Sequence, residues 1–271
     1  MAELEGQVAF ITGAGRLRGI GRATAIELAR LGADIVITGT GRNPDSFPDD
    51  EKAAGWRDVE SVAEQVRALG RRALTLVFDV TDPQAVEQAV AEAVEKLGRV
   101  DILINNAAVA RGDDRTAIES LDPGVFQRVL DVKVLGTFLC TQAVVKRLQA
   151  QGQGGSIVNI SSIAGKRGSA HTLAYNAANF AVVGMTQSMA QELGPIGVNV
   201  NCVCPGLVAT SRMDEVKPAD AVTTRDQRAT PVSRWGTDEE VGAFVAYLCT
   251  DAASWIHGQS INQDGGRVME H

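Results

Sequence analysis

The chain has 271 residues, of which 45% are apolar, and it carries a formal net charge of −7. A chain of this length and apolar content can bury one large core, so we expect a single domain over residues 1–271. The excess of acidic residues argues against a nucleic acid or an anionic membrane surface as a partner, because either would require a basic patch.

The N-terminal segment reads MAELEGQVAFITG. It has neither a cationic leader nor an apolar run long enough to span a bilayer, which predicts a cytoplasmic protein. The four cysteines lie in apolar segments and lack the spacing of a zinc or redox motif. We therefore expect no metal site.

A strand, a glycine-rich turn and a helix follow one another near the N-terminus. The strand is QVAFIT at 7–12, the turn GAGRLRGIG spans 13–21, and DIVIT at 34–38 is a second strand after the helix. Glycines let the backbone approach a pyrophosphate, and the helix N-terminus presents free N–H groups and the positive end of a dipole. The predicted dinucleotide contacts in this turn are Gly13, Gly15, Arg18, Gly19, Ile20 and Gly21.

The end of the second strand bears on the choice between NAD and NADP. NAD sites usually place a carboxylate there to hold the ribose 2′-OH, whereas NADP sites place an arginine near the 2′-phosphate. The sequence has no acid at Gly39 or Thr40, and Arg42 lies just beyond. We therefore expect Arg42 and Arg18 to favour NADP, with NAD as the alternative cofactor. In the plainer interpretation both arginines are solvated loop charges.

A polar stretch with two prolines, about residues 43–57, interrupts the alternation of strands and helices. We predict an insertion that forms a surface loop with an exposed Trp56. Whether it covers the adenine end of the cofactor or meets another subunit is left open. The following strand, ALTLVFDV, ends at Asp79, whose carboxylate could accept a hydrogen bond from the adenine amino group.

Strands and helices continue to alternate to the C-terminus. A helix begins at Pro83 after the N-cap Asp82, and another is predicted over about 126–149. A substrate loop is expected over about 207–234, before a last helix and strand. The alternation predicts right-handed crossovers and a parallel sheet with helices on both faces.

Ser162 and Tyr175 are the residues that we expect to carry the chemistry. The short β-branched run IVNI ends in hydroxyls, at the C-terminal end of a strand where open α/β sheets bind ligands. The next helix carries Tyr175 and Asn179 four residues apart, and hence on one face. We expect that helix face to be directed toward Ser162.

Six ordered motifs extend over nearly the whole chain: TGAG…GIG, DV, NNAA, NISS followed thirteen residues later by Tyr175, PGLVAT and INQDGG. In this order they resemble the short-chain dehydrogenase/reductase family. The resemblance implies a single Rossmann-like, doubly wound α/β domain with a seven-stranded parallel sheet and an NAD or NADP cofactor. It also implies interconversion of an alcohol and a ketone or aldehyde.

In that family the serine hydroxyl bonds the substrate oxygen, and the tyrosine passes a proton as hydride moves. Ser162 and Tyr175 match these roles, and an alkoxide that develops at neutral pH needs such a positioned donor. The resemblance assigns the remaining cofactor contacts to Asp79, Val80, Asn105, Ala107, Asn179, Pro205, Gly206, Val208 and Thr210.

Two departures from the family pattern concern one positive charge. The family has a lysine four residues after the tyrosine, and its charge lowers the pKa of the phenol, which is near 10 when unperturbed. This chain has Asn179 in that place, and it has Lys133 where the family usually has asparagine. We hypothesise that the two residues have exchanged places, so that Lys133 supplies the ammonium. The alternatives are a surface Lys133 beside an inactive site, and a tyrosine that works without a cation.

The favoured function is an NADP-dependent dehydrogenase or carbonyl reductase for a small or medium apolar substrate. A catalytically silent nucleotide-binding subunit and a non-redox isomerase or dehydratase on the same fold are the alternatives. The resemblance suggests a homotetramer, or a dimer, with the helices near Asp131 and Tyr175 packed against neighbours. His171 is a weaker candidate for proton transfer.

Overall fold

A seven-stranded parallel sheet organises the residues that the computed structural model describes, 3–214 and 230–269. The strand order is β3-β2-β1-β4-β5-β6-β7, and each neighbouring pair is parallel. This is the predicted doubly wound α/β sheet, which is confirmed. The strands are β1 Val8–Ile11, β2 Asp34–Gly39, β3 Ala73–Val77, β4 Ile102–Asn105, β5 Gly155–Ile160, β6 Val198–Pro205 and β7 Ser260–Gln263.

Helices cover both faces of the sheet because successive side chains of a buried strand point to opposite sides. Ile35 and Ile37 of β2 pack into one apolar core and Val36 into the other. Among the described residues no helix combines the length and the apolar composition that crossing a bilayer needs. The helices are α1 Ile20–Arg30, α2 Asp49–Ala53, α3 Val59–Ala68, α4 Pro83–Leu97, α5 Pro123–Leu130, α6 Gly136–Gln151, α7 Leu173–Leu193, α8 Ser211–Asp214 and α9 Asp238–Tyr247.

The order of the strands reverses between β1 and β4, and this topological switch opens a crevice at their C-terminal ends. The turn after β1 and the turn after β4 meet closely there. A Cβ on Gly13, whose φ is +67°, would lie 2.8 Å from the Cα of Ala107. Only glycine allows this approach, so the first glycine of the turn is fixed by packing.

The stretch 43–57 lies at the surface, as predicted, but it is not an irregular loop, and Trp56 is not exposed as expected. It contains a short 3₁₀ turn and helix α2. Trp56 is buried, and its indole Nε1 donates a hydrogen bond to the carbonyl oxygen of Gly15 at 2.6 Å. The carboxylate of Glu51, which is also buried, accepts a hydrogen bond from the backbone N–H of Leu17 at 2.9 Å. The insertion therefore packs against the glycine-rich turn and holds its backbone through these two hydrogen bonds.

Candidate active site

A cavity of about 460 Å³ lies at the C-terminal ends of the strands. Its walls come from the glycine-rich turn, the end of β5, the first turns of α7 and the segment after β6. The four residues predicted to be catalytic, Ser162, Tyr175, Lys133 and Asn179, all line it. The structure thus brings together residues that are up to 46 positions apart in the sequence.

Ser162 is held where β5 turns toward α7. Its backbone is extended, and its Oγ accepts a hydrogen bond from the N–H of Ala164 at 3.2 Å. Asn176, which the sequence analysis missed, fixes this turn: its Nδ2 donates to the carbonyl oxygens of Ala164 at 2.7 Å and Arg167 at 2.9 Å. An asparagine directly after Tyr175 was the only signal that the sequence offered for it. Asn176 therefore ties the serine turn to the helix that carries the tyrosine.

The same turn approaches the backbone of α7 without a side chain between them. A Cβ on Gly165 would lie 2.7 Å from both the carbonyl oxygen of Asn179 and the Oγ of Ser161. The Ser161 hydroxyl donates to that carbonyl oxygen at 3.0 Å. Gly165 is thus a requirement of the close approach that brings Ser162 toward Tyr175.

Two arginines flank the ring of Tyr175, an arrangement that the sequence did not suggest. The guanidinium carbon of Arg115 lies 3.9 Å from the ring centre and that of Arg212 lies 5.3 Å away. Arg115 comes from the loop after β4 and Arg212 from α8. Both distances fall within the range of cation–π contacts. The ring of the proton-transfer candidate therefore has two guanidinium groups close to it.

Lys133 lies in a π-helical turn, Asp131–Leu135, that joins α5 to α6. Its side chain is buried at 6% exposure, which rules out the surface alternative. The ammonium Nζ lies 3.4 Å from the carbonyl oxygen of Ala107. Burial, followed by the positive charge of Arg212, lowers the pKa of Lys133 from 10.5 to about 8.

A narrow recess joins Lys133 to Tyr175 and Asn179. It has about 10 Å³ of free space, close to the minimum that holds one water. The side-chain amide of Asn179 is used within its own helix: its Nδ2 donates a hydrogen bond to the carbonyl oxygen of Tyr175 at 2.8 Å. Of the two residues in the hypothetical exchange, only Lys133 brings a charge into this recess.

The cavity suits a dinucleotide at the end near α1. Gly19, the N-cap of that helix, has no side chain to cap the first turn, which leaves helix N–H groups for an anion. Arg16 and Arg22, which were not predicted, also line the cavity there. The predicted cofactor contacts that line it are Gly13, Arg18, Gly19, Ile20, Gly21, Asn179, Pro205, Gly206, Val208 and Thr210.

Asn105 does not line the cavity, which corrects its assignment as a cofactor contact. Its Nδ2 donates to Thr141 Oγ1 at 3.0 Å and to Asn159 Oδ1 at 2.9 Å, inside the core. Asn106 lines the cavity instead, and its Nδ2 donates to the carbonyl oxygens of Thr12 and Gly13. Because adjacent residues at a strand end point to opposite sides, only one of the two asparagines can face the ligand.

Asp79, Val80 and Ala107 are likewise absent from the cavity wall. The carboxylate of Asp79 accepts a hydrogen bond from Arg128 at 2.8 Å. Burial raises the pKa of Asp79, but bonds from Thr81 and Arg128 outweigh burial and hold it below its usual value. Val80 packs on α6, where a Cβ on Gly136 would lie 2.6 Å from its Cγ2. The cavity wall therefore gives no support to these three assignments, which stay predictions.

Arg42 and Gly15 belong to an ion-paired cluster outside the cavity wall. The guanidinium of Arg42 donates to Glu51 at 2.8 Å and to Asp58 at 2.9 and 3.0 Å, and also to the Gly15 carbonyl oxygen. A Cβ on Gly15 would lie 1.9 Å from a carboxylate oxygen of Asp58. Arg18, for its part, forms an ion pair with Asp50 at 2.7 Å. The expectation that Arg42 and Arg18 await a 2′-phosphate is therefore not supported.

His171 is exposed, in a left-handed conformation with a φ of 61°, just before α7. It does not line the cavity. Its position four residues before Tyr175 therefore brings no imidazole to the site.

A glycine-rich turn at a sheet switch point, facing a serine and a tyrosine, defines a dinucleotide-dependent oxidoreductase of the α/β class. The family model described as enoyl-(acyl carrier protein) reductase matches residues 13–267. A 3-oxoacyl-[acyl-carrier-protein] reductase of Synechocystis is 36% identical over 270 residues, covering 99% of this chain and 100% of that protein. The chain belongs to the short-chain dehydrogenase/reductase family, as the motifs predicted.

Solved structures agree with this membership. Carveol dehydrogenase from Mycobacterium avium, in complex with NAD, superposes with a TM-score of 0.89 at 30% identity and covers 100% of both chains. A protein of Agrobacterium tumefaciens with bound NADP superposes with a TM-score of 0.82 at 31% identity, covering 98% of this chain and 97% of that one. Both cofactors thus occur among the relatives, which supports a nicotinamide dinucleotide as the cofactor.

Proposed function

We propose that this protein interconverts an alcohol and a ketone or aldehyde with a nicotinamide dinucleotide, through Ser162, Tyr175 and Lys133. The observation that carries the proposal is that these three side chains line one cavity with the glycine-rich turn. The dinucleotide, when bound, supplies or accepts the hydride. The protein's own residues must then hold the reacting oxygen and move its proton.

Ser162 and Tyr175 meet the reacting oxygen. The serine hydroxyl donates a hydrogen bond to it, which orients the substrate and stabilises the charge that grows there. The tyrosine hydroxyl gives its proton to the oxygen in carbonyl reduction and takes it back in alcohol oxidation. A tyrosine does this well near neutral pH only when a positive charge stabilises its deprotonated form.

Lys133 is our candidate for that positive charge. Its side chain shares the narrow recess with Tyr175, and among the described residues no carboxylate forms an ion pair with it. The recess has close to the minimum space for one water, and we propose that the ammonium acts on the phenol directly or through a single bridging water. Asn179, which is uncharged, keeps the helix geometry in place.

The ribose end of the site favours NAD over NADP in our proposal. Arg42 forms ion pairs with Glu51 and Asp58, and Arg18 forms an ion pair with Asp50. These carboxylates would oppose the additional charge of a 2′-phosphate. We expect kcat/KM to be higher for NADH than for NADPH by at least about tenfold, the equivalent of about 1.4 kcal/mol. Steady-state kinetics with both cofactors on one ketone checks this, and an equal or reversed preference contradicts it.

The test of the catalytic assignment is the replacement of Lys133. We expect Lys133→Met to lower kcat by at least about a hundredfold, since it removes the positive charge that we propose assists proton transfer at Tyr175. The dissociation constant for NADH, measured by fluorescence titration, should change little. Tyr175→Phe provides the reference for a protein without the transferable proton. A Lys133→Met enzyme with the kcat of the parent would contradict the assignment.

An exchange of the two residues sharpens the test. Lys133→Asn should be as impaired as Lys133→Met. The double variant Lys133→Asn/Asn179→Lys, which restores the pattern of the family, should recover a large part of the lost kcat. Recovery would show that the site needs one ammonium near Tyr175 and accepts it from either helix. Failure to recover, in a variant that folds and binds NADH, would mean that Lys133 has another role.

The silent subunit and the non-redox enzyme remain distinguishable outcomes. Binding of NADH without turnover of any ketone or alcohol between pH 6 and about 9 would identify a silent subunit. Conversion of a substrate without a net change in nicotinamide absorbance would identify an isomerase or dehydratase. Nothing in the described geometry favours either over the redox reaction.

A further inference from the structure

The wall of the cavity has a charge pattern opposite to that of the whole protein. The chain carries a net charge of −7, yet the described residues that line the main cavity include no aspartate and no glutamate. Three of its cationic residues, Arg16, Arg18 and Arg22, lie in the turn before α1 or in the first turn of that helix, where a pyrophosphate would account for them. The others line the cavity with Tyr175: Arg111, Arg115, Lys133, Arg212 and Arg267.

These substrate-side cations have few carboxylate partners among residues 3–214 and 230–269. Arg111 and Arg212 form no ion pair with a carboxylate of the described residues. The Nε and Nη1 atoms of Arg267 are buried and have no hydrogen-bond partner in the part of the chain that is described. Arg115 has Asp114 at 3.3 Å, but its Nε makes no hydrogen bond. Burial lowers the pKa of Arg115.

Buried or half-buried guanidinium groups without partners are destabilising unless a ligand completes them. Arginine presents a rigid fork of donors that matches carboxylate and phosphate oxygens. Arg115 and Arg212 lie against the ring of Tyr175 at 3.9 and 5.3 Å. An anionic group a few bonds from the reacting carbon would therefore come within reach of both.

We propose that the substrate of this enzyme carries an oxyanion, a carboxylate or a phosphate, which Arg115 and Arg212 bind beside Tyr175. The proposal rests on the proposed function, and it replaces the expectation of an apolar substrate. Arg111 and Arg267 add positive charge to the same wall. The anion satisfies donors that the described part of the chain leaves without partners, and it fixes which face of the carbonyl meets the hydride.

The test compares ketones that differ only in charge. The pairs are 4-oxopentanoate and 3-oxocyclohexane-1-carboxylate with their methyl esters, and dihydroxyacetone phosphate with dihydroxyacetone. We expect kcat/KM at saturating cofactor to favour the charged member of the carboxylate or the phosphate pairs by about 10- to 100-fold, as for hydrogen bonds to charged groups. The pair that shows the preference identifies the anion. Equal values, or a preference for the neutral members throughout, overturn the proposal.

The variants Arg115→Gln and Arg212→Gln assign the preference to these residues. Each should reduce the charged-to-neutral ratio of kcat/KM by about tenfold or more, and Arg212→Lys should retain part of it. Using a ratio cancels any general loss of activity through Tyr175. Arg30→Gln removes an equal charge from an exposed position in α1 and should leave the ratio unchanged. An unchanged ratio in both cavity variants overturns the proposal, and the half-exposed Arg212 keeps the test valid should Arg115→Gln misfold.

A binding measurement separates this inference from the proposed function. If no ketone is reduced, the same pairs are titrated into the protein with NADH by calorimetry. Binding of the charged member alone would support the anion site while the redox function fails. Binding of neither, or equal binding of both, would overturn the anion site as well.

Discussion

Lys133 keeps an ammonium inside the protein, and no carboxylate of the described residues forms an ion pair with it. Such a group is destabilising, because burial removes its hydration and a single carbonyl oxygen at 3.4 Å replaces little of it. The positive charge of Arg212 adds to the penalty. A methionine of similar volume would fit the same recess without this cost. Residues that lower stability in this way are characteristic of functional sites.

The stability of the cofactor-free protein should report this cost through its pH dependence. The pKa of Lys133 is lowered from 10.5 in the unfolded chain to about 8 in the folded one, so between these values the unfolded chain binds more protons. The penalty is therefore complete below pH 8 and disappears as the pH rises to 10.5. Its upper limit is about 3 kcal/mol, from about 1.4 kcal/mol for each pH unit.

We therefore expect Lys133→Met to unfold at a higher urea concentration than the parent at pH 7, by the equivalent of about 1 to 3 kcal/mol. The difference should shrink steadily between pH 8 and 10. Lys146→Met, which removes an exposed ammonium paired with Glu87, should show no such trend. A difference that does not change with pH would mean that Lys133 is not charged in the folded protein.

Side chains at strand ends show how far the sequence could predict the site. The motifs identified Ser162 and Tyr175 because their spacing is distinctive, and both line the cavity. They could not decide which of Asn105 and Asn106 faces it, since that depends on where β4 ends. The partners of Arg42 lie 9 and 16 residues away in the sequence, so its ion pairs were invisible before folding.

At the scale of elements, the π-helical turn is what the sequence pattern could not reveal. The apolar spacing predicted one continuous helix over about 126–149, whereas the structure has α5, the turn Asp131–Leu135 and α6. The π-helical turn departs from the regular α-helical pattern of backbone hydrogen bonds. The Thr137 hydroxyl donates a hydrogen bond to the carbonyl oxygen of Lys133 at 2.7 Å. Such turns are frequent at functional sites, and this one directs Lys133 inward.

The insertion is a second element whose role emerged only from packing. Its polar composition predicted exposure, but long-range contacts bury Trp56 and Glu51 against the glycine-rich turn. Arg42, bonded to Glu51 and Asp58, also stacks on Phe47 at 4.5 Å. The insertion and the glycine-rich turn are thus joined by hydrogen bonds and packing into one unit, and the conformation of the phosphate end of the site depends on both.

Trp56→Phe should loosen this unit. It keeps most of the apolar burial but removes the hydrogen bond from Nε1 to the Gly15 carbonyl oxygen. We expect the free energy of unfolding to fall by about 1 kcal/mol and the dissociation constant for NADH to rise several-fold. Trp255→Phe is the matched control, since Trp255 is 98% exposed and should tolerate the change. Unaltered NADH affinity in Trp56→Phe would show that the turn holds its shape without the insertion.

At the scale of the whole molecule, the seven-stranded parallel sheet and the family followed from the sequence because six motifs mark the ends of most of its strands. Quaternary structure did not follow in the same way. The described chain leaves large apolar side chains exposed on two neighbouring helices, with Leu135 and Phe138 near the start of α6 and Leu173 and Phe180 on α7. Each pair lies on one helix face, since three- and seven-residue spacings repeat around a helix. Exposed patches of this kind mark interfaces between proteins.

We therefore expect a homo-oligomer, a dimer or tetramer, that buries these faces of α6 and α7. Placing a carboxylate in an apolar interface leaves a buried, unpaired charge, so Phe138→Asp or Phe180→Asp should shift sedimentation velocity profiles toward smaller species at micromolar concentration. Val77→Asp changes another exposed apolar residue, on β3 and away from both helices, and should leave the profile as it is. Because α7 also carries Tyr175, dissociation of the subunits should lower the enzymatic activity as well as the sedimenting mass. A parent protein that sediments as a monomer at all concentrations would contradict the expectation, and the apolar faces would then need another partner.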